Sequence, residues 1–379
     1  MSTEQIFTNA RVVTADEEFI GSVVVRDGLI SDISTGNSHL PQARDLSGDY
    51  LMPGFIELHT DNLEKHMNPR PGVDWPSSSA VIAHDAQIVA AGITTVFDAL
   101  SIGDISPKGD RLRQLPIMLK AVSDAEKQGQ TRAEHRLHLR CEISHEHTLD
   151  TFHKLVDNPL VQLVSLMDHS PGQRQFGKLE KYREYYQGKY HFSDDEMTAF
   201  MARHQENASK YSHFQRLTIV ETCKEKGLAM ASHDDATAEH ARESAELGMS
   251  IAEFPTTLVA AELSHELGMK VLMGAPNIVR GGSHSGNIAA QELARRDVLD
   301  ILSSDYYPSS LLQAVNLLNE AGHSMPQAVA KVSLAPARAA SLNDRGEIRP
   351  GLRADLVRVY PAGDQLMVRH VWRNGVRVF

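Results

Sequence analysis

From Leu51 to Leu342 short apolar runs alternate with stretches of helical character. Repeated strand–helix units of this kind pack as a parallel sheet covered by helices, which leaves few folds open. Strands are expected near 55–61, 93–99, 136–143, 161–168, 228–233, 250–254, 270–274 and 300–305. That is the number of strands that closes a (β/α)8 barrel. A doubly wound sheet is the alternative, but no glycine-rich dinucleotide fingerprint follows any of these strands. The expected fold class is therefore α/β, a (β/α)8 TIM barrel over 51–342.

The two ends read differently. Ile6–Thr14, Ser22–Arg26 and Leu29–Ile33 are strand-like, and Asp27-Gly28 supplies a hairpin turn. Ala354–Tyr360, Val368–Trp372 and Val376–Phe379 repeat the style, the last two flanking Asn374-Gly375. Residues 1–50 and 343–379 are thus expected to form one small composite β-sandwich domain. Between the fourth and fifth barrel strands lies a charged helical insertion, 177–227. Within it, Ser193-Asp194-Asp195-Glu196 fits a capping box, so a helix should start there.

Composition removes several classes of function. The chain carries 38 basic and 49 acidic residues, a net charge of −11, which argues against nucleic acid or an anionic membrane as partner. Mean hydropathy is −0.30 and no apolar run approaches a membrane span. The opening residues lack the plan of a signal peptide. Two cysteines, Cys141 and Cys223, make no disulfide framework, so a cytoplasmic protein is expected. The 19 histidines stand out, histidine being the commonest metal ligand.

In a barrel, catalytic side chains sit at the carboxyl ends of the strands. On the first strand Phe55, Glu57, His59 and Asp61 share a face, so His59 and Asp61 point the same way and suit one cation. On the third, Arg136, His138, Arg140 and Glu142 form a polar face opposite Leu137, Leu139, Cys141 and Ile143. Buried charges are costly unless paired or metal-bound, so that face is an ion-pair ladder or a site; an edge strand facing water is the other reading. The fourth, fifth and eighth strands run into His169, His233 and Asp305. Any one of these residues would suit a loop. All of them together, with His59, Asp61 and Glu142, are hard to obtain by chance.

Imidazole and carboxylate without thiolate suit Zn²⁺, Mn²⁺, Fe²⁺ or Ni²⁺. Six ligands with several carboxylates suit two metals, two Zn²⁺ being the first expectation, and Glu142 is best placed to bridge them at ~3.5–4 Å. A water between them would be acidified, and Asp305 is the expected catalytic residue, accepting its proton and passing it to the leaving group. After the seventh strand, Gly274–Asn287 is rich in Gly, Ser and Asn and reads as a loop. Its backbone N–H groups could cradle phosphate oxygens, with Arg280 adding a bidentate contact, or it is simply a surface loop. Arg174 follows His169, and Lys178, Lys181 and Arg183 open the insertion where a lid could close; a solvated helix face would look the same.

Met52–His59, Ala91–Val96, Ser333–Ala339 and Gly351–Val357 resemble the amidohydrolase superfamily. Four longer motifs, His59–His66, Asn68–Pro71, Met167–Gln175 and Val279–Asn287, are similar to its phosphonate-pathway branch of triphosphate diphosphatases, essentially end to end. That resemblance implies metal-dependent hydrolysis of α-D-ribose 1-methylphosphonate 5-triphosphate to the 5-phosphate and pyrophosphate. It implies divalent metals as cofactors and a small polyphosphate as partner. His66, Arg174, Asn277, Arg280, Ser283, His284 and Ser285 would hold that substrate. Two features depart from the common superfamily pattern. His59-x-Asp61 replaces His-x-His, and Glu142 stands where a carbamylated lysine is usual. Glu253, ending the sixth strand, competes with His169 for one ligand place.

Two other functions make different demands on the sequence. A cyclic-amide hydrolase or N-deacylase, of dihydroorotase or deacetylase type, would need a single carboxylate anchor rather than a polyphosphate cradle. A non-catalytic barrel would have lost its ligands, whereas Asp305 is present. A homodimer is the expected assembly, twofold dimers being commonest.

Overall fold

The computed structural model describes residues 4–103, 110–177, 179–283 and 286–379; Lys178, His284 and Ser285 lie outside the described residues. Both ends of the chain build one sheet of eight strands. Glu4–Val13, Glu18–Arg26, Leu29–Ser34, Arg44–Asp45 and Tyr50–Pro53 come from the first part. Leu356–Ala362, Gln365–Arg373 and Val376–Arg377 come from the last. Asp27 and Gly28 both take positive φ, as the tight hairpin turn requires. Phe7, Val12, Val23, Leu51, Leu356 and Trp372 form the core of this sheet.

The second sheet contains β1 (Phe55–Thr60), β2 (Ile93–Ile102), β3 (Glu134–Glu142), β4 (Val161–Met167), β5 (Ala229–His233), β6 (Ile251–Glu253), β7 (Lys270–Gly274) and β8 (Ile301–Ser303). Its strands follow one another in chain order, and a parallel bridge between Thr60 and Asp305 joins the last to the first. This is the (β/α)8 barrel. Every expected strand is found within about two residues, except that β2 runs on to Ile102.

The chain forms two compact units, residues 1–98, 121–136 and 273–379, and residues 99–120 and 137–272. In the first, Gly54 leads into β1 where a Cβ would lie 2.3 Å from Thr94 Oγ1, so only glycine fits. Glu134, opening β3, accepts from Arg345 Nη1 at 2.9 Å and from Arg353 Nη1 at 2.6 Å, tying the segment before the last three strands to the barrel. The expected loop at 274–287 is corrected here. Ala275–Arg280 is a short helix, started by Gly274 with Pro276 in its first turn and ended by Gly281 at φ 77°.

In the second unit the insertion is two helices, Leu179–Tyr190 and Asp194–Lys226. Ser193 and Glu196 form the capping box, and Gly227 ends the long helix in the left-handed conformation. Phe176, Tyr182, Tyr186, Met197 and Phe200 pack the helices together. On β3, Leu137, Leu139 and Cys141 are fully buried, and so are His138 and, nearly, Glu142. The water-facing edge reading of this strand is thereby excluded.

Candidate active site

In the first unit His59, Asp61 and Asp305 bring one ligand atom each within 4.8 Å of one another. The backbone makes this convergence. Asp305 N donates to His59 O at 3.1 Å and Asp61 N donates to Asp305 O at 2.9 Å, so β1 is stitched to the end of β8 on both sides of Thr60. Thr60 Oγ1 adds a third bond to Asp305 O at 2.8 Å. Asp305 sits at φ 55°, a left-handed conformation that non-glycine residues adopt mostly under local constraint. Beneath it, the buried Glu57 carboxylate accepts from His59 N at 2.7 Å and Ser304 N at 2.5 Å. Burial pushes the Glu57 pKa up to about 7 against those donors.

In the second unit His169, His233 and Asp234 form another such set. Asp234 Oδ2 lies 3.6 Å from His169 Nε2 and 3.5 Å from His233 Nε2. Each imidazole is held from behind by a carboxylate: His169 Nδ1 is 2.7 Å from Glu142 Oε2, and His233 Nδ1 is 2.6 Å from Glu253 Oε2. This is the arrangement by which outer carboxylates fix ring, tautomer and basicity of a metal-binding histidine. Asp234 takes φ 56°, the same strained conformation as Asp305.

The residues fit a cation on two observations. The donors are imidazole nitrogen and carboxylate oxygen, suited to first-row divalent metals. Burial works against a charged His169, yet Glu142 and Asp234 outweigh it and raise the imidazole to about 10. Acidic groups thus face His169 from both sides of its ring. Burial likewise opposes the Glu142 carboxylate, and His169 outweighs it, holding the group at about 2.

Of the expected ligands, His59, Asp61 and Asp305 converge, as do His169 and His233. Glu142 stands behind His169 rather than among the three converging atoms. Glu253 stands behind His233 in the same way. Asp234 escaped the sequence reading because His233-Asp234-Asp235 offers two adjacent carboxylates, and only the reversed backbone turns Asp234 inward.

The expected substrate contacts are more scattered. His66 Nε2 lies 3.0 Å from Gln87 Oε1. Arg174 is 4% exposed, and its guanidinium pairs with Asp235 and lies 3.6 Å from Glu243. Burial and then the nearby Arg216 lower its pKa to about 10. Asn277 Oδ1 accepts from Ala290 N at 3.0 Å and its amide donates to Ile288 O at 3.3 Å, pinning the turn after its helix. Arg280 is exposed at the end of that helix and Ser283 is half-buried.

The Amidohydrolase family model matches residues 50–378, and the chain belongs to the amidohydrolase family, a family of hydrolases. It is 53% identical, over 99% of its own length and 100% of the relative's, to the α-D-ribose 1-methylphosphonate 5-triphosphate diphosphatase of Escherichia coli (strain K12). Among solved structures it is similar to N-acetylglucosamine-6-phosphate deacetylase from Pasteurella multocida, with 15% identity, 99% of each chain covered and a TM-score of 0.61. The corresponding enzyme of Mycobacterium smegmatis gives 16% identity, 99% of this chain and 100% of that one, and a TM-score of 0.64. The 5-methylcytosine deaminase of Klebsiella pneumoniae gives 14% identity, 99% and 97% coverage, and a TM-score of 0.63. These structures share the fold. Among the described residues no helix is long and apolar enough to cross a membrane.

Proposed function

We propose that this chain hydrolyses α-D-ribose 1-methylphosphonate 5-triphosphate to the 5-phosphate and pyrophosphate, in phosphonate catabolism. The observation that carries the reading is the 53% identity, end to end, to an enzyme of that name. The two donor sets support it. His59, Asp61 and Asp305 would hold one divalent cation, and His169, His233 and Asp234 a second, with Glu142 and Glu253 orienting the imidazoles. Two Zn²⁺ fit these donors, as would Mn²⁺, Fe²⁺ or Ni²⁺. Such cations supply charge that neutralises phosphoryl oxygens and lowers the pKa of water.

The reaction breaks the anhydride bond between the α and β phosphorus atoms. Water adds its oxygen to one of them, and pyrophosphate and the 5-phosphate separate. Asp305 takes the proton from water and returns it to the departing oxygen. Arg280 and Ser283, with the serine and histidine that follow, would hold the triphosphate oxygens from the glycine-rich turn. His66 and Asn277 would shape that region, Asn277 from within its own internal contacts, while Arg174, the remaining substrate residue proposed, is paired with Asp235 in the second unit. The small polyphosphate is the proposed partner, and a homodimer the proposed assembly. The free, buried thiols of Cys141 and Cys223 support a cytoplasmic location.

Metal analysis and pyrophosphate release test the reading together. Protein as purified should carry about two divalent cations per chain. Asp305→Asn should cut pyrophosphate release ~10²–10⁴-fold, the range for losing a general acid–base. Undiminished release from Asp305→Asn would overturn the role given to Asp305.

A further inference from the structure

We propose that the helical insertion carries the outer end of a hydrogen-bond chain that fixes Glu142, making Ser144, His204 and Tyr182 positioning residues for the cation site at His169. This inference rests on the reading of that site given above. Glu142 Oε2 faces His169 Nδ1 at 2.7 Å, and its other oxygen accepts from Ser144 Oγ at 2.5 Å. The single hydroxyl proton of Ser144 is thereby committed, so its oxygen accepts from His204 Nε2 at 2.8 Å. With its proton on Nε2, His204 presents Nδ1 as an acceptor to the Tyr182 hydroxyl at 2.7 Å. Every donor in the chain therefore points towards the Glu142 carboxylate.

The members come from separate elements of the second unit. Ser144 follows β3, Tyr182 lies on the helix Leu179–Tyr190, and His204 lies ten residues into the helix Asp194–Lys226. Tyr182 is fully buried and His204 is 5% exposed, so water does not substitute for either partner. Burial lowers the His204 pKa and raises that of Tyr182, which keeps both neutral and the proton order fixed. A buried polar chain is tolerated only when each member is satisfied, and here each is. Packing the aromatic cluster would need only hydrocarbon surface. The hydroxyl of Tyr182 and both ring nitrogens of His204 are spent on this chain, which ends at Glu142.

The consequence is reciprocal. If docking of the insertion strengthens the cation site, cation binding must stabilise the docked insertion by the same factor. Loss of an outer-shell partner typically costs 10–100-fold in metal affinity.

The test uses the full-length, metal-loaded protein. Zn²⁺ affinity is measured by competition with a chelator, and hydrogen exchange over 179–226 is followed with and without Zn²⁺. Tyr182→Phe and His204→Phe should each weaken one of the two cations ~10–100-fold. His204→Gln, whose amide can still donate to Ser144, should recover part of that loss. Tyr186→Phe, in the same aromatic cluster but off the chain, should match the parent. Stripping Zn²⁺ should speed exchange in the insertion of the parent and less so in His204→Phe. Equal Zn²⁺ affinity in Tyr182→Phe, Tyr186→Phe and the parent, with exchange indifferent to Zn²⁺, would overturn the proposal. Tyr182→Phe removes a single oxygen, so this comparison stands even where His204→Phe fails to fold. A parent protein that binds no cation would overturn the reading of the site itself.

Discussion

At the scale of residues, the site is built from pairs in which a carboxylate disciplines an imidazole. Glu253 on His233 repeats what Glu142 does for His169, at 2.6 and 2.7 Å. Glu253→Gln keeps the shape and removes the charge. It should weaken one cation ~10–100-fold while leaving the other in place, as read by metal analysis during chelator titration. Retention of both cations with unaltered affinity would show that Glu253 does not act through His233. His59, Asp61, His169, His233 and Asp305 were legible in the sequence because each stands where an apolar run ends, and strand ends define a barrel's active face. Asp234, Ser144 and His204 were not. Their roles depend on a reversed backbone at one position and on contacts across 60 residues of chain, which no local spacing encodes.

At the scale of elements, short-range chemistry was the most legible. The box at Ser193 and Glu196 starts a 33-residue helix where the sequence placed it, because both partners lie within one turn. Ser193→Ala should destabilise that helix by about 1 kcal/mol, seen as faster exchange in its first turn. An unchanged exchange pattern would mean that packing alone holds the helix start. The short helix Ala275–Arg280 was less legible, since its composition is that of a loop and its two flanking glycines and Pro276 set its ends. The tie through Glu134 gives a pH dependence. Burial works against this carboxylate, but Arg345 and Arg353 outweigh it and hold the group at about 2, below its ordinary 4.5. Its contribution is therefore complete above pH 4.5 and is lost as pH falls towards about 2. Urea midpoints measured from pH 5 down to 2 should fall more steeply in the parent than in Glu134→Gln. At neutral pH that variant should be less stable by about 2 kcal/mol, because Arg345 and Arg353 each lose one carboxylate while keeping Asp344 and Asp355. Parallel pH profiles would refute the tie.

At the scale of the whole molecule, the fold follows from alternation that runs the length of the chain, with one sheet collected from its two ends. Two sets of carboxylates and imidazoles converge in that fold, and a cation that binds them only when the chain is folded stabilises it. Removal of metal should therefore lower the melting temperature, and Zn²⁺ or Mn²⁺ should restore it in a concentration-dependent way. A melting temperature indifferent to chelator would contradict cation binding at both sets. Cleavage of a triphosphate between its α and β phosphorus atoms is the activity proposed for this chain. Phosphorus-31 NMR of α-D-ribose 1-methylphosphonate 5-triphosphate with the metal-loaded protein tests it most directly. Pyrophosphate and the 5-phosphate should grow in together, in equal amounts. Orthophosphate released stepwise from the triphosphate end, or a triphosphate that persists unchanged, would contradict it.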